Sequence, residues 1–205
     1  MNRTLAHLAR CSMISLPFIS CASTNIRSQV DPQTTARGYK RIMVFVNVRD
    51  LGLRQDAEQE FERRLAGKAA TIVTSHKLFF PGRTYTKTEG DRILAQAGIE
   101  AVLLIRPTDA GTSSTYIPRT TTTEATATAS GNTVRGTATT REHGGYEIEK
   151  PWAQYEAVLH DPASDQVVWI ARMSSAGNAF AGWDHLIRSM ARKTADQLVK
   201  DRVLR

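Results

Sequence analysis

The side chains able to do chemistry in this sequence are few, and cysteine and histidine come first. The chain has 205 residues, with two cysteines, Cys11 and Cys21, and five histidines. Two cysteines are too few for a disulfide scaffold or a cysteine-rich metal site. As a nucleophile, Cys21 would need a base to activate its thiol. The histidines have no i,i+4 or paired-cysteine spacing, so we expect no metal site and no cofactor.

Cys21 follows a segment typical of exported proteins. Residues 1–10 are basic and contain no acid, and residues 11–20 are uncharged and mostly apolar. This order is that of a secretory signal peptide. The ending Phe18-Ile19-Ser20-Cys21 resembles the lipobox of bacterial lipoproteins. That resemblance implies cleavage between Ser20 and Cys21, a diacylglyceryl thioether on Cys21 and acylation of the new amino group.

The cysteine count supports this interpretation. After cleavage Cys21 is the one cysteine left, and an uncapped thiol is a liability in an oxidising compartment. A lipid caps the thiol, and several acyl chains together anchor a protein stably. Ala22, where an aspartate would retain the protein, implies by resemblance to the Gram-negative sorting rule an outer-membrane protein facing the periplasm. The alternatives are plain secretion with an incidental cysteine, or the disordered N-terminus of a cytosolic protein.

Charge and hydropathy exclude two further classes. The formal net charge is +7, and it falls to +5 without residues 1–20, which hold Arg3 and Arg10 and no acid. A charge of that size is ordinary for solubility. No Lys/Arg run marks a nucleic-acid patch, so we expect no nucleic-acid partner. No stretch approaches the ~20 apolar residues of a membrane-spanning helix.

The chain divides into three parts. Residues 1–20 are predicted as a lipoprotein signal peptide, residues 21–39 as a flexible polar tether and residues 40–205 as a single periplasmic domain. Apolar residues make up 41% and charged residues 23% of the chain, near the globular averages. Wholesale disorder is therefore not expected.

The first half of the domain alternates strands and helices. Strands are predicted at residues 41–48, 71–74 and 100–105, the last one closed by Pro107. One helix carries the apolar stripe Leu53, Ala57, Phe61 and Leu65 and ends at Gly67. A second helix opens with the capping box Thr86–Glu89 and ends at Gly98. Such alternation predicts a parallel three-stranded sheet with right-handed crossovers.

A threonine-rich segment follows, with 13 threonines in residues 107–146. A disordered linker is one interpretation. With Gly131-Asn132 as a two-residue turn, however, Ala125, Ala127 and Ala129 face Ala138, Gly136 and Val134, while threonines and charges fall on the other side. This consistent alternation favours an extended hairpin over residues 120–141. Its polar face gives the candidate interaction residues Thr126, Thr128, Arg135 and Thr137.

The rest of the chain predicts a second hairpin and a helix. Gly144-Gly145 is expected to mark a turn, and residues 152–160 and 166–171 are predicted strands joined at Asp161–Asp165. Asp184 is expected to cap a long helix. Its inward residues are predicted to be Leu186, Ile187, Met190, Ala191, Thr194, Ala195, Leu198 and Val199. Trp152, Trp169 and Trp183 are expected to serve packing.

The predicted fold class is therefore α/β (α+β): a mixed sheet with a parallel β-α-β-α-β start, antiparallel hairpins and a C-terminal amphipathic helix. The buried first strand, the passage Gly98–Leu103, the hairpin around Asp161–Asp165 and the final helix resemble small periplasmic lipoprotein domains. Their plan is similar to that of the curli-secretion lipoprotein, the penicillin-binding-protein activator lipoproteins and the N-terminal domain of the Tol-Pal β-propeller protein. The resemblance implies a role in envelope assembly or recognition and assigns no functional residue.

Two functions remain open. No H-E-x-x-H, G-x-S-x-G or P-loop motif is present. The first hypothesis is a non-enzymatic, lipid-anchored envelope protein that binds another envelope protein or itself. The alternative is an envelope hydrolase or carbohydrate-binding domain with an unrecognised site, which a pocket of convergent acids and histidines would favour. A solid domain with a protruding hairpin would favour the first.

Overall fold

A six-stranded mixed sheet forms the body of the protein in the computed structural model, which describes residues 22–34, 38–67 and 70–204. In chain order the elements are β1 (Ala22–Val30), β2 (Arg41–Val46), α1 (Leu51–Leu65), β3 (Thr71–Thr74), α2 (Lys87–Gln96), β4 (Ala101–Ile117), β5 (Thr120–Ser130), β6 (Thr133–His143), β7 (Tyr146–Asp161), β8 (Gln166–Gly177) and α3 (Trp183–Lys200). The sheet order is β1-β8-β7-β4-β2-β3, and β5 and β6 pair separately. The predicted fold class is confirmed.

The parallel start of the sheet follows from local sequence. β2 lies between β3 and β4 and is parallel to both. Asp50 caps α1 by accepting a hydrogen bond from the Leu53 backbone N–H, and Thr86 and Glu89 form the predicted capping box of α2. The two loops that leave these helices contain Gly67 and Gly98, both with positive φ, as helix ends of this kind require.

The two faces of the sheet differ in their cover. On one face α1 and α3 pack over β2, β4, β7 and β8, and this layer holds the main core, with Phe61, Leu103 and Trp169 at 1% exposure or less. On the other face α2 covers a smaller cluster around Met43 and Leu94 at the parallel end. The remaining part of that second face, on β4 beyond Leu104 and on β7, β8 and β1, has no helix of the described residues over it; we call it the open face.

β1 corrects the prediction of a flexible tether over residues 21–39. Residues 22–30 pair with β8 along their whole length, from Ala22 opposite Gly177 to Val30 opposite Trp169. The segment is polar because it is an edge strand, and one of its faces is exposed. Its buried Thr24 hydroxyl lies 2.7 Å from the Ser175 hydroxyl and also hydrogen-bonds the Ser189 hydroxyl on α3. The domain therefore includes β1.

Two further predictions about element ends were wrong. Pro107 does not close its strand, because β4 runs on to Ile117. The ladder to β2 ends at Ile105, and the register with β7 shifts between Pro107 and Asp109, so the missing N–H falls where pairing is interrupted. The cap of α3 is Gly182, with Asp184 in the first turn.

The predicted inward stripe of α3 is otherwise confirmed. Its residues from Leu186 to Leu198 are buried, but Val199 is 39% exposed. Val199 lies one position beyond the last buried residue of the stripe, in the final turn before the helix ends at Lys200.

Candidate functional site

Two strands of the sheet extend far beyond their neighbours. The β2 ladder on β4 stops at Ile105, and β7 begins to pair with β8 only at Trp152. From Thr112 and Pro151 outward, β4 and β7 therefore pair only with each other. We call residues 112–151 the arm. It spans about twenty residue steps from base to tip, which at ~3.3 Å per residue is roughly 60 Å.

The outer part of the arm is the threonine-rich hairpin, and the structure excludes the disordered-linker interpretation. β5 and β6 pair from Thr120–His143 to Ser130–Thr133, slightly beyond the predicted range, and every predicted cross-strand pair from Glu124–Thr139 to Ala129–Val134 is present. Gly131 has φ +62. Among described non-glycine residues only Asp165 and Arg202 have positive φ, so the turn has the predicted type II′ pattern of signs.

The four predicted interaction residues lie together on one face of this hairpin. Thr126 is directly opposite Thr137, and Thr128 is directly opposite Arg135. The two threonine hydroxyls of the first pair are 3.4 Å apart. All residues of β5 and β6 are exposed, so these side chains are available to a partner and contribute nothing to the core.

A glycine pair joins the two parts of the arm. Gly144 and Gly145 have φ +84 and +76 and lie between β6 and β7, opposite residues 118–119, where they interrupt the ladder. A Cβ atom on Gly144 would lie 2.1 Å from the Pro118 carbonyl oxygen. The Gly145 N–H donates to the Ile117 carbonyl. The pair was predicted to mark a turn; it lies at the break between the β4–β7 ladder and the separate β5–β6 hairpin.

The base of the arm is built around Trp152. Its ring is half-buried on the open face and covers Gly111, where a Cβ would lie 2.9 Å from the Trp152 ring. Trp169, by contrast, is buried in the core and donates its indole N–H to Asp201 over 2.8 Å. Trp183 is 41% exposed at the start of α3. Two of the three tryptophans thus serve packing as expected.

Cys21 and Ser20, the predicted lipidation and cleavage residues, lie outside the described residues. Ala22, which follows Cys21 directly, is the first residue of β1 and is opposite Gly177. Ala176, one residue before Gly177, is opposite Trp152 at the base of the arm. The chain therefore enters the described domain at the same end of the sheet from which the arm leaves.

A buried carboxylate that the sequence reading missed lies at the carboxyl ends of β2 and β3. Glu58 on α1 is fully buried and accepts hydrogen bonds from the Val46 N–H over 3.2 Å and the Ser75 N–H over 2.9 Å. The Ser75 hydroxyl and His76 Nδ1 lie 2.6 and 3.2 Å from its oxygens. Glu58 lies three residues before Phe61, which belongs to the apolar stripe of α1. Residues at that spacing share a helix face, and this was the one indication in the sequence that Glu58 faces the core.

Asp161 and Asp165 shape a turn, as predicted. Asp161 is buried and accepts hydrogen bonds from the Ala163 and Ser164 N–H groups and from the Tyr39 hydroxyl. Asp165, at φ +56, hydrogen-bonds the Lys87 ammonium over 3.0 Å, and this contact lowers the pKa of the Asp165 carboxyl. The turn is thereby fastened to α2.

The described histidines are dispersed. His76 contacts Glu58, His160 contacts Asp165 and His185 contacts Asp184; His143 ends β6. Among residues 22–34, 38–67 and 70–204, no group of three or more His, Cys, Asp or Glu side chains is placed to hold a metal ion. No helix in that part of the chain is both long enough and apolar enough to cross a bilayer.

Three clefts of the described surface are broadly open to solvent. One depression of about 480 Å³ lies on α1 and contains Asp56, Glu60, Glu62, Arg63 and Arg188. Its carboxylates are paired with cations: Glu60 with Arg63, and Asp56 with Arg188 at 3.4 Å.

One tyrosine in the core has a shifted pKa. Burial raises the pKa of the Tyr155 hydroxyl to about 12.

Comparisons with known proteins gave structural likenesses only. No protein-family model and no curated protein matches the sequence. The PelC dodecamer from Paraburkholderia phytofirmans is 16% identical, with a TM-score of 0.48 over 89% of this chain and 99% of that one. Lipoprotein GNA1162 from Neisseria meningitidis is 14% identical, with a TM-score of 0.42 over 78% of this chain and 99% of that one. At these values the likenesses assign no function.

Proposed function

We propose that this chain is a non-enzymatic, lipid-anchored protein of the bacterial cell envelope that binds another envelope protein or further copies of itself through the arm. The observation that carries the proposal is the arm itself, a two-stranded ribbon with exposed faces and free edges, roughly 60 Å long at ~3.3 Å per residue. Its outer part, β5 and β6, adds nothing to the core of the domain, since no residue of these strands is buried.

Physical chemistry favours a partner on such a ribbon. An isolated two-stranded hairpin is marginally stable in water. Its two outer edges present rows of unpaired backbone N–H and C=O groups, and these accept an added strand from a partner. Binding would bury the alanine face and pair an edge at once, and so would stabilise the arm.

The anchor completes the proposal. Cys21, by its lipobox-like context, is the residue that would carry the lipid, on an outer-membrane protein facing the periplasm. Because β1 begins at Ala22, such a lipid would hold the sheet itself at the membrane, with the base of the arm at the anchored end. The partner of the arm would then meet the protein close to the membrane surface.

The arm is tested by replacing residues 120–143 with a short Gly-Ser turn. We expect the thermal midpoint of unfolding to change little, because the removed strands are exposed, while binding to a partner or self-association weakens. Cross-linking in intact cells and sedimentation of the purified full chain in mild detergent measure the association. A variant that unfolds would place the hairpin in the folding core and contradict the proposal. Unchanged association by both methods would show that β5 and β6 make no contact with a partner.

The anchor is tested separately by Cys21→Ser. The variant should move from the membrane fraction to the soluble periplasm, because the residue that would carry the acyl chains is gone. Mass spectrometry of the N-terminal peptide from the unsubstituted chain should show a lipid-modified Cys21. Membrane association that survives the substitution, together with an unmodified residue 21, would refute the anchor.

A further inference from the structure

The open face carries a row of arginines that crosses four strands. Arg106, Glu156, Arg172 and Arg27 are successive cross-strand partners on β4, β7, β8 and β1. Directly opposite residues in an antiparallel ladder have their side chains on the same face. The row therefore places three cations and one anion side by side on a surface that no helix of the described residues covers. We call it the arginine row.

The charges in this row are not balanced. Glu156 accepts a hydrogen bond from Arg106 over 2.7 Å and lies 3.9 Å from Arg172 Nε. Arg27 faces Arg172 directly and forms no ion pair with a described carboxylate. Like charges directly opposite each other in a sheet are destabilising. An anionic group laid across β8 and β1 would relieve that repulsion.

The surface beside the row is apolar. Leu104, Val158 and Ile170 form the next cross-strand row, and Ile170 is 36% exposed. A depression of about 420 Å³ lies between the two rows on β1 and β8 and is lined by Arg27, Gln29, Ile170 and Arg172. This surface fits a ligand that presents carboxylates next to an apolar or aromatic group.

The part of the arm next to the sheet, residues 112–117 and 146–151, presents that combination on the side opposite the open face; we call this part the inner arm. Side chains alternate along β7, and Ala153 and Tyr155 lie under the helices, so Glu147 and Glu149 lie on the helix side of the ribbon. Both glutamates are exposed. Tyr116, opposite Glu147, lies on the same side and is 62% exposed. We call these three residues the acidic arm face.

We propose that the acidic arm face of one copy packs on the arginine row of the next copy. The proposal rests on the proposed function, and it names a second copy of this chain as the partner. Two carboxylates meet the unbalanced cations, and Tyr116 meets the apolar row around Ile170. Because the two surfaces lie on opposite sides of the sheet, the contact is head-to-tail, and repetition gives a ring or a filament in place of a two-fold dimer.

A charge-swap experiment on the full chain tests this contact. The double variant Arg27→Glu/Arg172→Glu and the double variant Glu147→Arg/Glu149→Arg are each compared with the chain that combines all four substitutions. Sedimentation velocity in mild detergent measures association. Each double variant should associate at least about tenfold more weakly, since like charges then meet across the contact, and the fourfold variant should recover.

A matched control separates this contact from net charge. Arg192→Glu/Lys193→Glu reverses two exposed cations on the outer side of α3 and should leave association unchanged. Thermal unfolding of every variant checks that the domain stays folded. Recovery in the fourfold variant cannot come from misfolding, so it supports the contact even if one double variant is less stable.

Three outcomes overturn the inference. One is a chain that is monomeric at every concentration, and another is a fourfold variant that fails to recover although it is folded. The third is unchanged association in both double variants. If association then disappears when residues 120–143 are replaced, the arm still acts as the interaction element. In that case the proposed function stands, and only the arginine-row contact fails.

Discussion

Replacing Glu58 with alanine should destabilise the domain far more than any other single carboxylate change on α1. Its carboxylate accepts two backbone hydrogen bonds, from Val46 on β2 and from Ser75 after β3, and it contacts His76. The side chain is 0% exposed, so bulk solvent does not compete for these donors in the folded protein. The substitution therefore leaves buried donors unpaired at the junction of the helix with two strands.

The magnitude follows from the donors left behind. Each unsatisfied buried N–H costs ~1–3 kcal/mol, and the substitution leaves two of them, those of Val46 and Ser75. The Ser75 hydroxyl can rotate to another acceptor and adds little. We expect a loss of about 3–5 kcal/mol in the free energy of unfolding. Glu58→Gln, which keeps the shape and one acceptor, should lose about half as much.

Urea unfolding followed by circular dichroism measures these differences. Glu62→Ala is the matched control, because Glu62 lies four residues on in the same helix, is 43% exposed and pairs with Lys77 on the surface. Exposed pairs of this kind contribute ~0–1 kcal/mol. A Glu58→Ala variant within about 1 kcal/mol of Glu62→Ala would show that the network contributes little, and the reasoning would be wrong.

Three further predictions concern the junction, a surface pair and a buried phenol. Gly144→Ala should loosen the arm without lowering the thermal midpoint of the body, measured by faster proteolytic cleavage between residues 118 and 146; Gly90→Ala, in open space on α2, should not change the cleavage rate. Lys87→Met should raise the pKa of Asp165 toward its usual value in an NMR titration, because the ammonium lowers it; an unmoved pKa would contradict the contact. Tyr155 should ionise only near pH 12 in an ultraviolet titration that Tyr155→Phe identifies. The pKa of Tyr155 is higher in the folded than in the unfolded protein. The contribution of the buried, neutral phenol to stability is therefore complete below pH ~10, the usual tyrosine pKa, and is lost between pH ~10 and 12. Ionisation of Tyr155 near pH 10 in the folded protein would refute its burial.

The fold was predictable where local patterns agree with tertiary pairing. The register of the threonine-rich hairpin followed from two facts, the alternation of alanine and threonine and a Gly131-Asn132 turn, because a shift of one residue would exchange its two faces. The two residues of the α2 capping box, Thr86 and Glu89, lie three positions apart at the helix start, so the local sequence contains both partners. Long-range packing had no part in these predictions.

The failures arose where the partner is distant in the chain. β1 is as polar as a linker, and its pairing with β8 depends on residues such as Ser175 that are 151 positions after Thr24. The full length of β4 was missed because Pro107 ends strands in most contexts, whereas here it lies at a register shift. Glu58 was missed because a charged residue on an amphipathic helix normally faces solvent.

The candidate site was predictable in part. Alternation placed Thr126, Thr128, Arg135 and Thr137 on one face, and the structure brings them together there. The arginine row was invisible in the sequence, because its four members come from four strands whose order β4-β7-β8-β1 differs from their order in the chain. A single sequence does not show which residues lie opposite each other in strands so far apart along the chain.

The pairing of β1 with β8 also fixes the order in which the domain can be completed. A ribosome synthesises residues 22–30 first, but their hydrogen-bonding partners are residues 166–177 and their packing partner is α3. Closing a loop of this length is entropically costly, and contacts of high sequence separation form slowly. Residues 22–30 therefore have no strand partner at the stage when β2, β3 and β4 can already pair with one another. The docking of β1 therefore cannot precede the synthesis of β8 and α3, its two partners.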